Sequence, residues 1–194
     1  PVIPVLVLDN ADLAGGLASA LVSGGLPVLE VTLRTPDALD VIHTMASVEG
    51  GVVGAGTLLR PDDVYAAKEA GALFGVSPGS TEGLLDAAED AGFPLLPGAA
   101  TASEAMVLFE RGYKVQKFFP AEASGGVEAL AALAGPLPDI RFCPTGGIGL
   151  ATAPAYLSLP NTLCVGGSWV APKEIVANRA WAKVTALAEE AAAL

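Results

Sequence analysis

The 194 residues carry 10 Lys and Arg against 21 Asp and Glu, a formal net charge of -11. With 52% hydrophobic and 16% charged residues the chain is too apolar to be disordered, and five lysines and five arginines scattered singly offer no phosphate-tracking surface to nucleic acid. The longest apolar run, Val2–Leu8 with a proline inside it, falls far short of the roughly 18 residues that a membrane-spanning helix needs.

In chain order, Val2–Leu8 predicts a first strand and Pro27–Leu33 a second. The first residue is Pro1 rather than Met and the strand begins at once, the expectation being that upstream residues were removed or not included. Further apolar runs follow at Val52–Thr57, Leu73–Ser77, Phe93–Leu96, Val115–Phe119, Ile140–Thr145 and Leu163–Gly167. Between them, Asp37–Val48, Asp62–Ala70, Glu82–Ala91 and Ala102–Arg111 carry apolar residues at i, i+3 and i+4, the pattern of a helix with one buried face. Pro36 and Pro61 sit near first turns, and Gly71, Gly92 and Gly112 follow the last periodic residues.

Strands that are apolar on both faces and alternate with helices predict a parallel sheet covered by helices. Eight such runs, starting 20 to 25 residues apart, predict a (β/α)8 TIM barrel forming one domain over residues 1–194. Chemistry in such a barrel sits at the C-terminal strand ends, which directs attention to polar residues there.

Lys117 is the first of these. It lies in Val115-Gln116-Lys117-Phe118-Phe119, where alternation puts Val115, Lys117 and Phe119 on one face of a strand otherwise fit for burial. A buried lysine is either held in an ion pair as a structural cation, or is an amine kept partly neutral by burial that attacks a carbonyl to form a Schiff base. The second strand offers a counterpart: in Leu29-Glu30-Val31-Thr32-Leu33-Arg34, Glu30, Thr32 and Arg34 share a face. Glu30 and Arg34 could pair with each other or with Lys117; alternatively, Glu30 shuttles protons while Arg34 holds a substrate carboxylate.

Glycine-rich strand ends form the third element. Thr145-Gly146-Gly147 and Gly166-Gly167-Ser168 close the last two runs, where backbone N–H groups can approach an anion, although turns also use glycine freely. Thr57, after Gly54-Ala55-Gly56, could donate to a carboxylate. Cys143 and Cys164 read as small core residues of a protein from a reducing, cytoplasmic compartment, with a disulfide the lesser alternative. His43, the one histidine, sits on a predicted helix, and no cluster has metal-ligand spacing, so no metal is expected.

The blocks Gly25-x4-Glu30-Val31-Thr32-Leu33-Arg34, Gly54-Ala55-Gly56-Thr57, Val76-Ser77-Pro78-Gly79, Lys117-Phe118-Phe119-Pro120-Ala121-Glu122, Phe142-Cys143-Pro144-Thr145-Gly146-Gly147-Ile148 and Val165-Gly166-Gly167-Ser168-Trp169 together resemble the KDPG/KHG aldolases. They keep that family's order over nearly the whole chain. The family's short helix before the first strand has no counterpart among these residues.

The resemblance implies a class I aldolase splitting 2-keto-3-deoxy-6-phosphogluconate, or 4-hydroxy-2-oxoglutarate, to pyruvate and an aldehyde. It implies Lys117 as the Schiff-base lysine and Glu30 as the proton-transferring residue. Arg34 and Thr57 would hold the pyruvate carboxylate, and Thr145 would lie near the reacting centre. Gly146, Gly147, Gly166, Gly167 and Ser168 would meet the phosphate. It further implies no cofactor beyond the covalent lysine, a cytoplasmic homotrimer, and a keto-acid substrate as the partner. Two other readings compete: a different phosphate-binding barrel enzyme that would not use Lys117, and a barrel that binds sugar acids without catalysis.

Overall fold

A computed structural model describes all residues from Pro1 to Leu194. The chain opens with β1 (Val2–Leu6), a 3-10 turn (Ala11–Leu13) and α1 (Ala14–Ser23). Next come β2 (Val28–Thr32), α2 (Ala38–Ala46), β3 (Val52–Gly56), α3 (Pro61–Glu69), β4 (Phe74–Val76) and α4 (Glu82–Asp90). Two short strands, β5 (Leu95–Leu96) and β6 (Gly98–Ala99), precede α5 (Ala102–Glu110), β7 (Val115–Phe118) and α6 (Gly126–Ala134). The chain ends with β8 (Arg141–Pro144), α7 (Ala153–Leu157), β9 (Val165–Gly167), α8 (Lys173–Ala177) and α9 (Trp181–Ala192). No helix is long and apolar enough to cross a membrane.

Local chemistry accounts for many of these boundaries. Thr101 caps α5 in a box with Glu104, each side chain bonding the other's backbone N–H. Pro61 opens α3, where its missing N–H has no helical partner to lose. Gly71, Gly92 and Gly112 end their helices at φ 98°, 57° and 93°, conformations that a β-carbon would strain.

All strand pairs are parallel, and the sheet curls. Instead of one closed ladder of eight strands, the hydrogen bonds form a six-stranded sheet in the order β5-β4-β3-β2-β1-β9 and a three-stranded sheet β6-β7-β8. Two features interrupt the ladder. Of the run expected as a strand at Phe93–Leu96 only Leu95–Leu96 forms β5, and Pro97, which has no N–H, separates it from β6 just beyond the run. Between β8 and β9 only the isolated bridges Phe142–Thr162 and Thr145–Gly166 form. Three steps separate Phe142 from Thr145 but four separate Thr162 from Gly166, so an extra residue bulges out and breaks regular pairing.

The register fixes which side chains share the concave face. One rung runs Val5–Glu30–Gly54–Phe74, the next Thr32–Gly56–Val76–Leu96, and across the second sheet Gly98 aligns with Lys117 and Cys143. The opposite faces pack under the helices in a core of 43 buried residues, with Leu29, Val31, Phe118 and Phe142 among them. Phe118 and Phe142 meet edge to face at 6.2 Å. Trp169 and Trp181 are half-buried against this core. Thr32, grouped from sequence with Glu30 and Arg34, gives its hydroxyl to the Leu6 carbonyl at 2.9 Å and so joins β2 to β1. We expect Thr32→Val to cost about 1 kcal/mol of stability in a urea melt.

Candidate active site

The concave face is built from unequal neighbours. Gly54 leaves room for the Phe74 ring, Gly56 for the Glu30 carboxylate, and Gly166 for the Thr145 hydroxyl; a β-carbon at any of the three would overlap that partner. Small residues beside large ones therefore open space inside the curled sheet and aim the large side chains into it. Gly56→Ala is expected to push Glu30 off its position and cost about 1–3 kcal/mol, readable as a lowered urea midpoint.

Into that space project Lys117 from β7 and Glu30 from β2. They are 5% and 3% exposed, and Lys117 Nζ lies 3.2 Å from Glu30 Oε1. Strands 87 residues apart in sequence thus deliver an amine and a carboxylate to one buried hydrogen bond. The same Nζ stands 5.3 Å from the centre of the Phe119 ring, whose face favours a cation. The remaining lysines, Lys68, Lys114, Lys173 and Lys183, are all exposed. Lys117 is the one amine inside the sheet.

At the ends of β2 and β3, Arg34 Nε donates to Thr57 Oγ1 at 3.2 Å. Thr57 holds φ at 64°, a left-handed conformation uncommon for a threonine, which sets its hydroxyl beside the guanidinium. Because Thr57 accepts from Nε, its own hydroxyl hydrogen and the two terminal guanidinium nitrogens remain free to donate. The pair makes a ready fork for a carboxylate.

Thr145, buried at the end of β8, bridges to Gly166, and its N–H donates to the Phe118 carbonyl at 3.0 Å. Gly146 and Gly147 follow at φ 104° and 81°, so this turn is one that side-chain-bearing residues rarely adopt. Gly147 and Ser168 are exposed at adjacent strand ends, whereas Gly166 and Gly167 are buried within β9. Packing accounts for both of the latter, since Thr145 and the Trp169 ring occupy the space their side chains would need.

Cys143 stands in register with Lys117, and its sulfur is 3.9 Å from Thr145 Oγ1. Its thiol is pushed well above the ordinary range, first by a hydrogen bond with Cys164 and then by burial, while Cys164 is lowered through that same bond. Both thiols are free. A thiol held protonated is a poor nucleophile. The sequence reading of core thiols, with a disulfide the lesser alternative, resolves to two free thiols, one buried and one half-buried. No group of three or more His, Cys, Asp or Glu residues is arranged to hold a metal ion.

Comparison with known proteins gives the same direction. The family model for KDPG and KHG aldolase matches residues 1–187. The KHG/KDPG aldolase of Escherichia coli (strain K12) is 50% identical over 192 residues, 98% of this chain and 90% of that protein. A crystal structure of KDPG aldolase from Legionella pneumophila, with pyruvate captured as a covalent carbinolamine intermediate, superposes with a TM-score of 0.96 at 44% identity, covering 98% of this chain and 93% of that one. The Zymomonas mobilis ZM4 2-keto-3-deoxy-6-phosphogluconate aldolase with 3-phosphoglycerate gives a TM-score of 0.93 at 51% identity, covering 100% and 91%. This chain belongs to the KDPG and KHG aldolase family.

Proposed function

We propose that this chain is a class I aldolase that cleaves 2-keto-3-deoxy-6-phosphogluconate to pyruvate and glyceraldehyde 3-phosphate, and also 4-hydroxy-2-oxoglutarate to pyruvate and glyoxylate. The observation that carries the reading is the buried Lys117–Glu30 pair at 3.2 Å on the concave face of the sheet.

The Lys117 ammonium gives up a proton to solvent, and the neutral amine adds to the C2 ketone to give a carbinolamine. A proton taken back from solvent lets the carbinolamine hydroxyl leave as water, giving an iminium ion and leaving Glu30 as the carboxylate. The iminium then accepts the electron pair of the breaking C3–C4 bond, giving an enamine, while Glu30 takes the C4 hydroxyl proton and the aldehyde departs. Returning that proton to C3 regenerates an iminium, which water hydrolyses to pyruvate and free Lys117. Arg34 and Thr57 hold the carboxylate that every such substrate shares. Thr145 lies by the reacting centre, and Gly146, Gly147, Gly166, Gly167 and Ser168 receive the distal phosphate. No metal or organic cofactor enters the scheme.

An Arg34→Lys variant loses both the fork and the bond to Thr57, so KM should rise about tenfold for the phosphorylated and the unphosphorylated substrate alike. A rise confined to one substrate would move Arg34 away from the shared carboxylate.

The same reading takes the two sheets as arcs of one (β/α)8 barrel in a single domain. Only Pro97 separates β5 from β6, the two bridges join β8 to β9, and one continuous core underlies all the strands. We place the protein in the cytoplasm as a homotrimer; the family resemblance, the free thiols and the exposed Met106 and Val107 of α5 support this.

Pyruvate release from each substrate, coupled to lactate dehydrogenase in the presence of EDTA, tests the function. We expect turnover of both. Absence of pyruvate from either, with folded protein, would refute the assignment.

A further inference from the structure

Tyr156 is the largest fully buried side chain of the molecule. A buried phenol needs an acceptor for its hydroxyl, and α7 supplies none of its own. The acceptor is Glu122 Oε1, 34 residues earlier, in the loop that leaves β7. Burial, and then this bond, raise the phenol beyond its ordinary range, so Tyr156 stays the donor.

Glu122 is tied to the turn after β8 in two further ways. Its backbone N–H donates to the Gly146 carbonyl at 3.1 Å, next to the bond from Ala121 N–H to the Thr145 carbonyl at 2.8 Å. Its aliphatic stem lies against Gly147, where a β-carbon would come within 2.6 Å of Glu122 Cγ and 2.8 Å of its Cβ. The buried Tyr156 hydroxyl thus fixes the Glu122 side chain that packs against Gly147.

We propose that Tyr156, acting through Glu122, is a positioning residue that holds the Gly146–Gly147 turn in the orientation that receives the substrate's distal phosphate. The proposal rests on the reading of that turn as the phosphate site. Tyr156 touches no reacting atom, so its influence falls on the phosphorylated half of the substrate and spares the pyruvate half.

The experiment compares kcat and KM for 2-keto-3-deoxy-6-phosphogluconate and for 4-hydroxy-2-oxoglutarate, which has no phosphate, in Tyr156→Phe, Glu122→Ala, Glu122→Gln and the double variant Tyr156→Phe/Glu122→Ala. Loss of the charged hydrogen bond should raise KM for the phosphorylated substrate about tenfold relative to the other, mainly at unchanged kcat. Glu122→Gln, whose amide oxygen still accepts from the phenol, should recover part of that shift. The double variant should be no worse than either single change, as for two residues acting as one unit.

Reductive trapping of pyruvate on Lys117 is run alongside, because a retained adduct shows that fold and amine are intact. Ser168→Asp separates the two layers of the argument. If it leaves KM for the phosphorylated substrate unchanged, the phosphate reading fails and the proposal with it. If Ser168→Asp raises that KM but Tyr156→Phe slows both substrates equally, Tyr156 is merely structural and the positioning role is overturned.

Discussion

Lys117→Ala is expected to abolish pyruvate release from both keto-acid substrates. No other lysine can take over, because Lys68, Lys114, Lys173 and Lys183 are exposed, and Lys68 already donates to the Ala91 carbonyl. The substitution also strands Glu30, 3% exposed, without its partner. Breaking a buried pair from one side costs about 3–5 kcal/mol, so the variant could lose activity simply by unfolding. Lys117→Met combined with Glu30→Gln removes both charges while keeping volume. We expect that double variant to keep a cooperative thermal transition and to show no turnover. Near-native turnover in either variant would end the assignment of Lys117.

Glu30→Gln is expected to slow cleavage by about 10²–10⁴, the range for loss of a general acid–base group. Gln keeps the size of Glu30, and its amide oxygen can still accept from Lys117, so the space over Gly56 is preserved. The iminium should therefore still form, and borohydride should trap substrate on the enzyme faster than pyruvate appears. Rapid-quench measurement of adduct and product in one turnover separates the two steps. Normal cleavage after a slow adduct step would make Glu30 a helper of amine deprotonation and assign carbon–carbon cleavage elsewhere.

Much of this site was legible in the chain because burial and charge conflict locally. Lys117 stands out in Val115–Phe119 without knowledge of any partner, and strict alternation points Glu30 the same way. The helices at Ala38–Ala46, Glu82–Asp90 and Ala102–Glu110 fall within the expected spans and Pro61–Glu69 starts one residue before its own, since periodicity and end signals agree. What the pattern hid depends on neighbours far along the chain. Pro97 lies just past an apolar run that looks like one strand, and its effect appears only where a ladder bond is missing. The bulge between Thr162 and Gly166 depends on pairing with β8, which local propensity does not encode. Likewise, the bond from Tyr156 to Glu122 joins residues 34 apart, which local pattern does not encode. The glycines divide in the same way. Gly146 and Gly147 serve a positive-φ turn, whereas Gly166 and Gly167 yield space to Thr145 and Trp169, and a Gly-Gly pair in sequence does not distinguish the two uses.

The most direct test of Schiff-base chemistry at Lys117 is intact mass after incubating the folded protein with pyruvate and borohydride, followed by peptide mapping. The account predicts one reduced pyruvyl adduct per chain, located on Lys117. A folded protein that takes up no adduct, or carries it on an exposed lysine, would contradict it and leave Lys117 a structural cation paired with Glu30.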